Sequence, residues 1–217
     1  MEDLKRHEGF EIEVLEELGR VGFLKPLVFG GGTMLRLCHE LPRYSVDMDF
    51  WFLKKTAYSA YFLKLRDFLK SKYELSDSKN KHFTLLYEFR GKTSPRKLKI
   101  EIRKELLKKG IEDQIAYSTN ASKQVLVRAL SLTESARRKL EAIRSRDEVR
   151  DYFDLEFLLR KGVDAGFTDS DRSRIRARIS RFRKSDITSV LGALLAKDLR
   201  DYYAKNGFAY LLEKISA

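Results

Sequence analysis

Cysteine is nearly absent: Cys38 stands alone in 217 residues, which excludes an intrachain disulfide and a multi-cysteine metal site. Histidine is scarce and scattered, as His7, His39 and His82, so zinc chemistry has no ligand set to draw on. Any metal is therefore expected to be a hard cation held by carboxylate oxygens. Long apolar runs are missing too. The longest uncharged stretches, Pro26–Leu35 and Ile187–Ala196, fall far short of the roughly 20 residues that span a bilayer. The chain opens Met-Glu-Asp with no apolar h-region, so a cytoplasmic protein without membrane partners is expected. Side-chain amides are also few (Asn80, Asn120, Asn206, Gln114, Gln124), a bias that points toward a thermophilic source.

Positive charge, by contrast, is abundant. Lys and Arg number 44 against 32 Asp and Glu, a formal charge of +12. Such a surplus suits a polyanionic partner such as nucleic acid, although it also serves general solubility. With 43% hydrophobic and 12% aromatic residues, the chain has enough apolar surface to build a core despite its charge.

The pattern along the chain changes once. Residues 4–20 have helical apolar spacing, and Leu27–Phe29 forms a short strand that runs into Gly30-Gly31-Gly32-Thr33. A helix is expected over 34–40, a strand over 46–52 and a helix over 56–72. Strands follow over 82–89 and 97–103, the latter alternating Leu98, Ile100 and Ile102 with Lys99, Glu101 and Arg103. Residues 124–128 make a weaker strand. From Leu132 on, every segment reads as helix: one opened by Thr133 and Glu134, one capped by Asp147 and ended at Gly162, then 170–184, 186–205 and 208–215. The expected fold is α+β, a mixed sheet with flanking helices over residues 1–130 followed by a helical bundle over 131–217. No Pro/Gly/Ser linker marks the boundary, and there is no internal repeat.

Chemistry concentrates in residues 30–50, GGGTMLRLCHELPRYSVDMDF. A strand that ends in glycines and enters a helix offers backbone N–H groups and a helix dipole to a phosphate. Asp47 and Asp49 lie two apart on one strand, so both carboxylates point to one face while Val46, Met48 and Phe50 point to the other. Adjacent carboxylates repel unless a cation lies between them; the plainer alternative is two ordinary charges on an exposed edge strand. Glu101 occupies the polar face of its own strand and joins the pair if the two strands are neighbours. Three such carboxylates suit one or two Mg²⁺ ions. Lys139 shares a helix face with Ala136, Leu140 and Ile143, and Asp151 and Asp154 lie i, i+3 on the next helix. These groups read either as a structural ion pair between helices or as part of a polar site.

In this order, the motifs resemble the nucleotidyltransferase superfamily of the DNA polymerase β type. The segments GGTMLRL, RYSVDMDF, LKIEIR and ESARRKLEAIRSRDEVRDYFDLEFLL resemble, more narrowly, the AbiEii/AbiGii-type toxin nucleotidyltransferases over about Gly30 to Leu159. The resemblance implies that Gly31, Gly32 and Thr33 hold the triphosphate of an NTP, with Arg43 and Ser45 helping to form that site. It implies that Asp47, Asp49 and Glu101 bind Mg²⁺, with Glu101 the base for an attacking hydroxyl. Lys139 would neutralise triphosphate charge and Asp154 would orient Lys139 or the nucleotide. It further implies a type IV toxin with a cognate antitoxin, transferring a nucleotide to RNA, with the 3′ end of tRNA the expected acceptor.

The Arg-rich stretch 170–184 lies outside those motifs. Ile175, Ile179 and Phe182 give it a packing face, and Arg172, Arg174, Arg178 and Arg181 are candidate RNA contacts, with a merely solvated face as the alternative. A second basic zone, Lys92, Arg96, Lys97, Lys99, Arg103 and Lys104, surrounds Glu101. Two rival functions stay open on sequence alone: transfer to a protein or small-molecule hydroxyl, and a non-catalytic nucleic-acid-binding module.

Overall fold

The computed structural model describes residues 1–92, 94–146 and 148–216. The chain divides into two compact units: Met1–Glu40 with Tyr44–Leu130, and Leu41–Arg43 with the chain from Ser131 onward.

The first unit begins with helix α1 (Glu2–Arg20), which buries Leu4, Leu15 and Leu18 along one stripe. Strand β1 (Leu27–Gly30) passes directly into α2 (Gly31–His39), which starts three residues earlier than its apolar spacing predicts. Strand β2 (Asp47–Phe52) and helix α3 (Tyr58–Lys72) follow. Then come β3 (Glu74–Asn80), β4 (Thr84–Arg90), β5 (Leu98–Leu106), β6 (Ile111–Tyr117) and β7 (Gln124–Leu130).

Among the described residues, seven strands form one sheet in the order β3-β4-β5-β2-β1-β7-β6. The β2–β5 and β1–β7 pairs are parallel and the others antiparallel. Period-2 alternation divides the sheet into two chemistries. Met48, Phe50, Leu85, Tyr87, Phe89, Leu98, Ile100 and Ile102 are all buried on one face. There Phe62 of α3 stacks on Tyr87 and Phe10 of α1 meets Phe89 edge-on. The opposite side of β2 and β5 carries the polar residues.

Sequence pattern misses β3 and β6. Both are the outermost strands, and the sequence ELSDSKN of β3 has one apolar residue. An edge strand is held by hydrogen bonds to one neighbour and needs little apolar alternation.

The second unit is helical. Helix α4 (Leu132–Ser145) is capped by Ser131, whose hydroxyl accepts from the Glu134 N–H at 3.2 Å. Thr133 therefore lies inside the helix and does not open it. Helix α5 (Val149–Arg160) has Glu148 at its N-cap position; Asp147, the expected cap, lies outside the described residues. The expected helix over 170–184 is shorter, α6 (Asp169–Ile179), set by a capping box between Thr168 and Asp171. The expected helix over 186–205 is two helices, α7 (Lys184–Val190) and α8 (Lys197–Asn206). Asp186 is the cause of the first shift, because its carboxylate accepts from the Arg183 N–H at 3.0 Å and so starts α7 earlier. The break falls where Leu195 bridges to Arg43. Helix α9 (Ala209–Lys214) ends the unit, and Tyr152, Leu155, Leu158, Ile175, Leu195, Phe208 and Leu211 fill its core.

Candidate active site

The strand–helix turn from β1 to α2 needs glycine for two reasons. Gly31 has φ +76°, and a Cβ there would lie 2.3 Å from Asp49 Oδ2. The Asp49 carboxylate thus sits directly against the N-terminal end of α2, the favourable end for negative charge. Thr33 is fully buried, and its hydroxyl donates to the Asp47 backbone carbonyl at 2.6 Å. It ties the first turn of α2 to the start of β2. Ser45 is half-buried just before β2.

The parallel pairing of β2 with β5 brings the three acidic residues onto one face. Asp47 is in register with Lys99, and Asp49 with Glu101. All three carboxylates are half-buried. Lys99 Nζ lies 3.1 Å from Asp47 Oδ2, and Arg103 Nη2 lies 3.8 Å from Glu101 Oε1. Burial disfavours the Lys99 ammonium, yet Asp47, Glu101 and Asp49 outweigh it and raise its pKa. Among the described residues no three Asp, Glu, His or Cys side chains are gathered tightly enough to form a ready metal cage. The donor set still fits a hard divalent ion: three carboxylates on one face, with a cationic side chain already drawn to Asp47. Lys99 was visible in the strand's alternation, but its place beside Asp47 depends on a register that only the folded sheet supplies.

A second polar cluster lies within the helical unit. Arg43 grips Asp154 with two hydrogen bonds, Nε to Oδ1 and Nη2 to Oδ2, each 2.7 Å. Lys139 Nζ lies 2.6 Å from Asp154 Oδ2 and 3.0 Å from Asp151 Oδ1. Arg146 closes the cluster with 2.8 and 2.9 Å bonds to Asp151. Asp151 and Asp154 are fully buried and Arg43 nearly so. Burial alone would raise the Asp154 pKa, but Arg43 and Lys139 overcome it and lower the value. Asp151, opposed by burial in the same way, is held down to about 2 by Lys139 and Arg146. Lys139 is disfavoured by burial, and its two aspartates outweigh that and raise its pKa. Formal charges sum to +1, from Lys139, Arg43 and Arg146 against Asp151 and Asp154. Arg146 is the member that sequence pattern did not single out.

The four arginines read as RNA contacts differ in setting. Arg172 donates to the Ile215 carbonyl at 3.0 Å and Arg178 lies over the Phe182 ring, whereas Arg174 and Arg181 are exposed. Arg181 falls beyond the end of α6.

A third group escaped the sequence reading altogether. On α1, Glu8 and Glu11 stand in the buried stripe with Leu4, Leu15 and Leu18. Glu8 is held by Arg36 at 2.6 Å, by Asn120 at 3.0 Å and by the Ser118 hydroxyl. Glu11 lies 3.7 Å from the His7 ring, which in turn donates to the Val46 carbonyl at 3.3 Å. Neither Glu11 carboxyl oxygen has a hydrogen-bond partner among the described residues. Burial, and then the charges of Glu8 and Asp47, push the Glu11 pKa well up; burial lowers that of His7. The available signal was the 3–4 spacing of two glutamates inside an apolar stripe.

The profile of the nucleotidyl transferase AbiEii toxin family, type IV toxin–antitoxin system, matches residues 13–207. The chain belongs to this family. It is a toxin nucleotidyltransferase, and membership implies a nucleotide substrate and an antitoxin partner. Comparison with curated proteins finds no match. Among solved structures, this AbiEii-family chain is similar to JHP933 from Helicobacter pylori (TM-score 0.58, 19% identity, covering 96% of this chain and 93% of that one). It is also similar to MenT4, a nucleotidyltransferase toxin from Mycobacterium tuberculosis H37Rv (TM-score 0.52, 15% identity, covering 97% and 89%). At these identities the likeness speaks for the fold, a mixed sheet with flanking helices, in agreement with the α+β expectation. Among the described residues no helix is long and apolar enough to cross a membrane.

Proposed function

We propose that this toxin transfers a nucleoside monophosphate from an NTP to an RNA hydroxyl, with the 3′ end of tRNA as acceptor, in a Mg²⁺-dependent reaction. The observation that carries the reading is the β2–β5 register, with Asp49 beside Glu101 and Asp47 two residues away, on the face that meets the start of α2. Asp47, Asp49 and Glu101 would hold Mg²⁺, which when bound supplies neutralisation of triphosphate charge. Glu101 accepts the proton of the attacking hydroxyl as its oxygen bonds to the α-phosphorus and the bond to pyrophosphate breaks. The N-terminal turn of α2, from Gly31 and Gly32, offers N–H groups to phosphate oxygens. Thr33 acts through the backbone it ties down, because its hydroxyl already donates to Asp47. The family resemblance assigns Lys139 the neutralisation of triphosphate charge; within its own unit Asp154 orients Lys139 and Arg43 holds Asp154 in place. Ser45 contributes to the loop that delivers Asp47.

The test is transfer of α-labelled CTP, UTP, ATP and GTP, separately, to total tRNA with Mg²⁺. Wild type is expected to label tRNA, and Asp47→Asn and Lys139→Ala to lose at least about 100-fold of that rate, the usual scale for removing an electrostatic catalytic group. Label on protein or a small molecule instead would replace the acceptor. No label anywhere, with no nucleotide bound by calorimetry, would overturn the catalytic reading.

A further inference from the structure

The tip of the β3–β4 hairpin carries an aromatic ring that nothing in its own unit buries. Phe83 is 76% exposed, the most exposed large apolar side chain among the described residues. Its backbone is nevertheless well held. Lys81 N–H donates to the Thr84 carbonyl at 2.9 Å, and Lys104 N–H donates to the Phe83 carbonyl at 2.9 Å. The Lys104 ammonium also donates to the Lys81 carbonyl. The His82 ring stands edge-on to Phe83 with centroids 4.4 Å apart. A depression of about 380 Å³ opens beside the ring, lined by Phe83, Thr84, Arg103, Lys104 and Glu105. Glu105 is the single acid in that lining.

The position matters as much as the composition. Thr84 pairs with Arg103, and Leu86 pairs with Glu101. Arg103 and Glu101 are two apart on β5, hence on one face and roughly 7 Å apart along the strand. Arg103, in the lining beside the ring, therefore lies on the face that bears the carboxylates, whereas Lys104, the next residue on β5, lies over the Tyr58 ring of α3.

We infer that this hairpin tip is a docking platform for a single-stranded nucleic-acid end, with one base stacked on Phe83 and flanking phosphates on Arg103 and Lys104. Every base has a π-face, so an exposed aromatic ring with Arg103 and Lys104 beside it suits single-stranded nucleic acid. A protein partner fits less well, because the core of a protein–protein interface is apolar and depleted in lysine, whereas one ring here is surrounded by charge. The inference rests on the RNA-acceptor reading and adds where the acceptor's end is held.

Phe83→Ala removes an exposed side chain and is expected to melt with wild type. The measurement is fluorescence anisotropy of a labelled 12-nucleotide single-stranded RNA and of the matching duplex, across a salt series. Phe83→Ala should weaken single-strand binding about ten-fold, in line with the loss of one stacked base. Phe83→Trp should retain it, and duplex binding should not change. Lys104→Ala should lower the salt slope by about one. Equal single-strand affinity for wild type and Phe83→Ala would overturn the platform, as would no RNA binding by wild type. Loss of antitoxin binding in Phe83→Ala with RNA affinity intact would overturn it in favour of a protein surface. If Phe83→Ala loses affinity while wild type transfers no nucleotide, the transfer reading fails and the platform stands; transfer by wild type with unchanged Phe83→Ala affinity gives the reverse.

Discussion

At the residue scale, Glu11 is the side chain whose environment contradicts its chemistry most. It is fully buried beside the His7 ring and the Thr33 side chain, and burial first, then Glu8 and Asp47, push its pKa well up. The sign of its contribution follows by linkage. A raised folded-state pKa means that stability is complete below the unfolded value of roughly 4.3 and is lost as pH rises toward the folded value. Glutamine has the shape of the neutral acid and does not ionise. Glu11→Gln should therefore raise the melting temperature at pH 8 and leave it near wild type at pH 4. A Glu11→Gln protein that melts lower at pH 8 would show that an ionised Glu11 supports the fold. Gly31 shows a different constraint: φ +76° and the Asp49 carboxylate together leave no room for a Cβ.

Helix α5 presents the opposite case at the scale of an element. Its inner face carries Asp151 and Asp154 where apolar residues would ordinarily pack, and α4 answers with Lys139. Taking such a pair out of water is costly, and breaking one by removing a partner costs more than the pair is worth, because the survivor is left buried. Asp151 is held at about 2 despite burial, because Lys139 and Arg146 overcome that burial. A depressed carboxylate contributes stability above its unfolded pKa of roughly 3.9 that is lost as pH falls through the folded value. Acid unfolding of the helical unit between about pH 4 and pH 2 should thus lose on the order of 2 kcal/mol from this group. Asp151→Asn, followed by circular dichroism at 222 nm, should be less stable than wild type at pH 7 and show a flatter acid limb. Identical acid limbs would mean that Lys139 and Arg146 do not hold Asp151 ionised. Helix ends throughout this unit are ambiguous in sequence, because Ser131, Thr133, Asp169 and Asp186 are all acceptable cap residues by type. The capping hydrogen bonds that form choose among them.

Over the whole molecule, a formal charge of +12 sets a long-range attraction for polyanions that salt screens. RNA affinity should fall steeply between about 50 and 200 mM salt, linearly on logarithmic axes. Replacing the exposed Arg174 and Arg181 together by Glu should flatten that slope without changing the far-ultraviolet circular dichroism. An unchanged slope would make the Arg-rich region a solvated surface. Arg172 and Arg178 are omitted because their guanidinium groups are engaged with the Ile215 carbonyl and the Phe182 ring.

Local pattern made much of this legible. The alternation in 97–103, the glycines before α2 and the Asp-x-Asp spacing follow from periods of 2 and 3.6, which a sequence displays without a fold. Those periods determined the α+β class, the shared face of Asp47 and Asp49, and the polar side of the Glu101 strand. The partner of each face was not written there. Only the tertiary structure put Asp49 in register with Glu101, set Lys99 beside Asp47 and turned the Thr33 hydroxyl to a backbone carbonyl. It also gathered Arg43 and Arg146 around the two aspartates of α5 and recruited the polar edge strands β3 and β6. The physical reason is common to all of these. Periodicity is a property of one segment, whereas register, ion pairing and edge-strand recruitment arise between segments far apart in the chain, and their energies exist only once those segments meet.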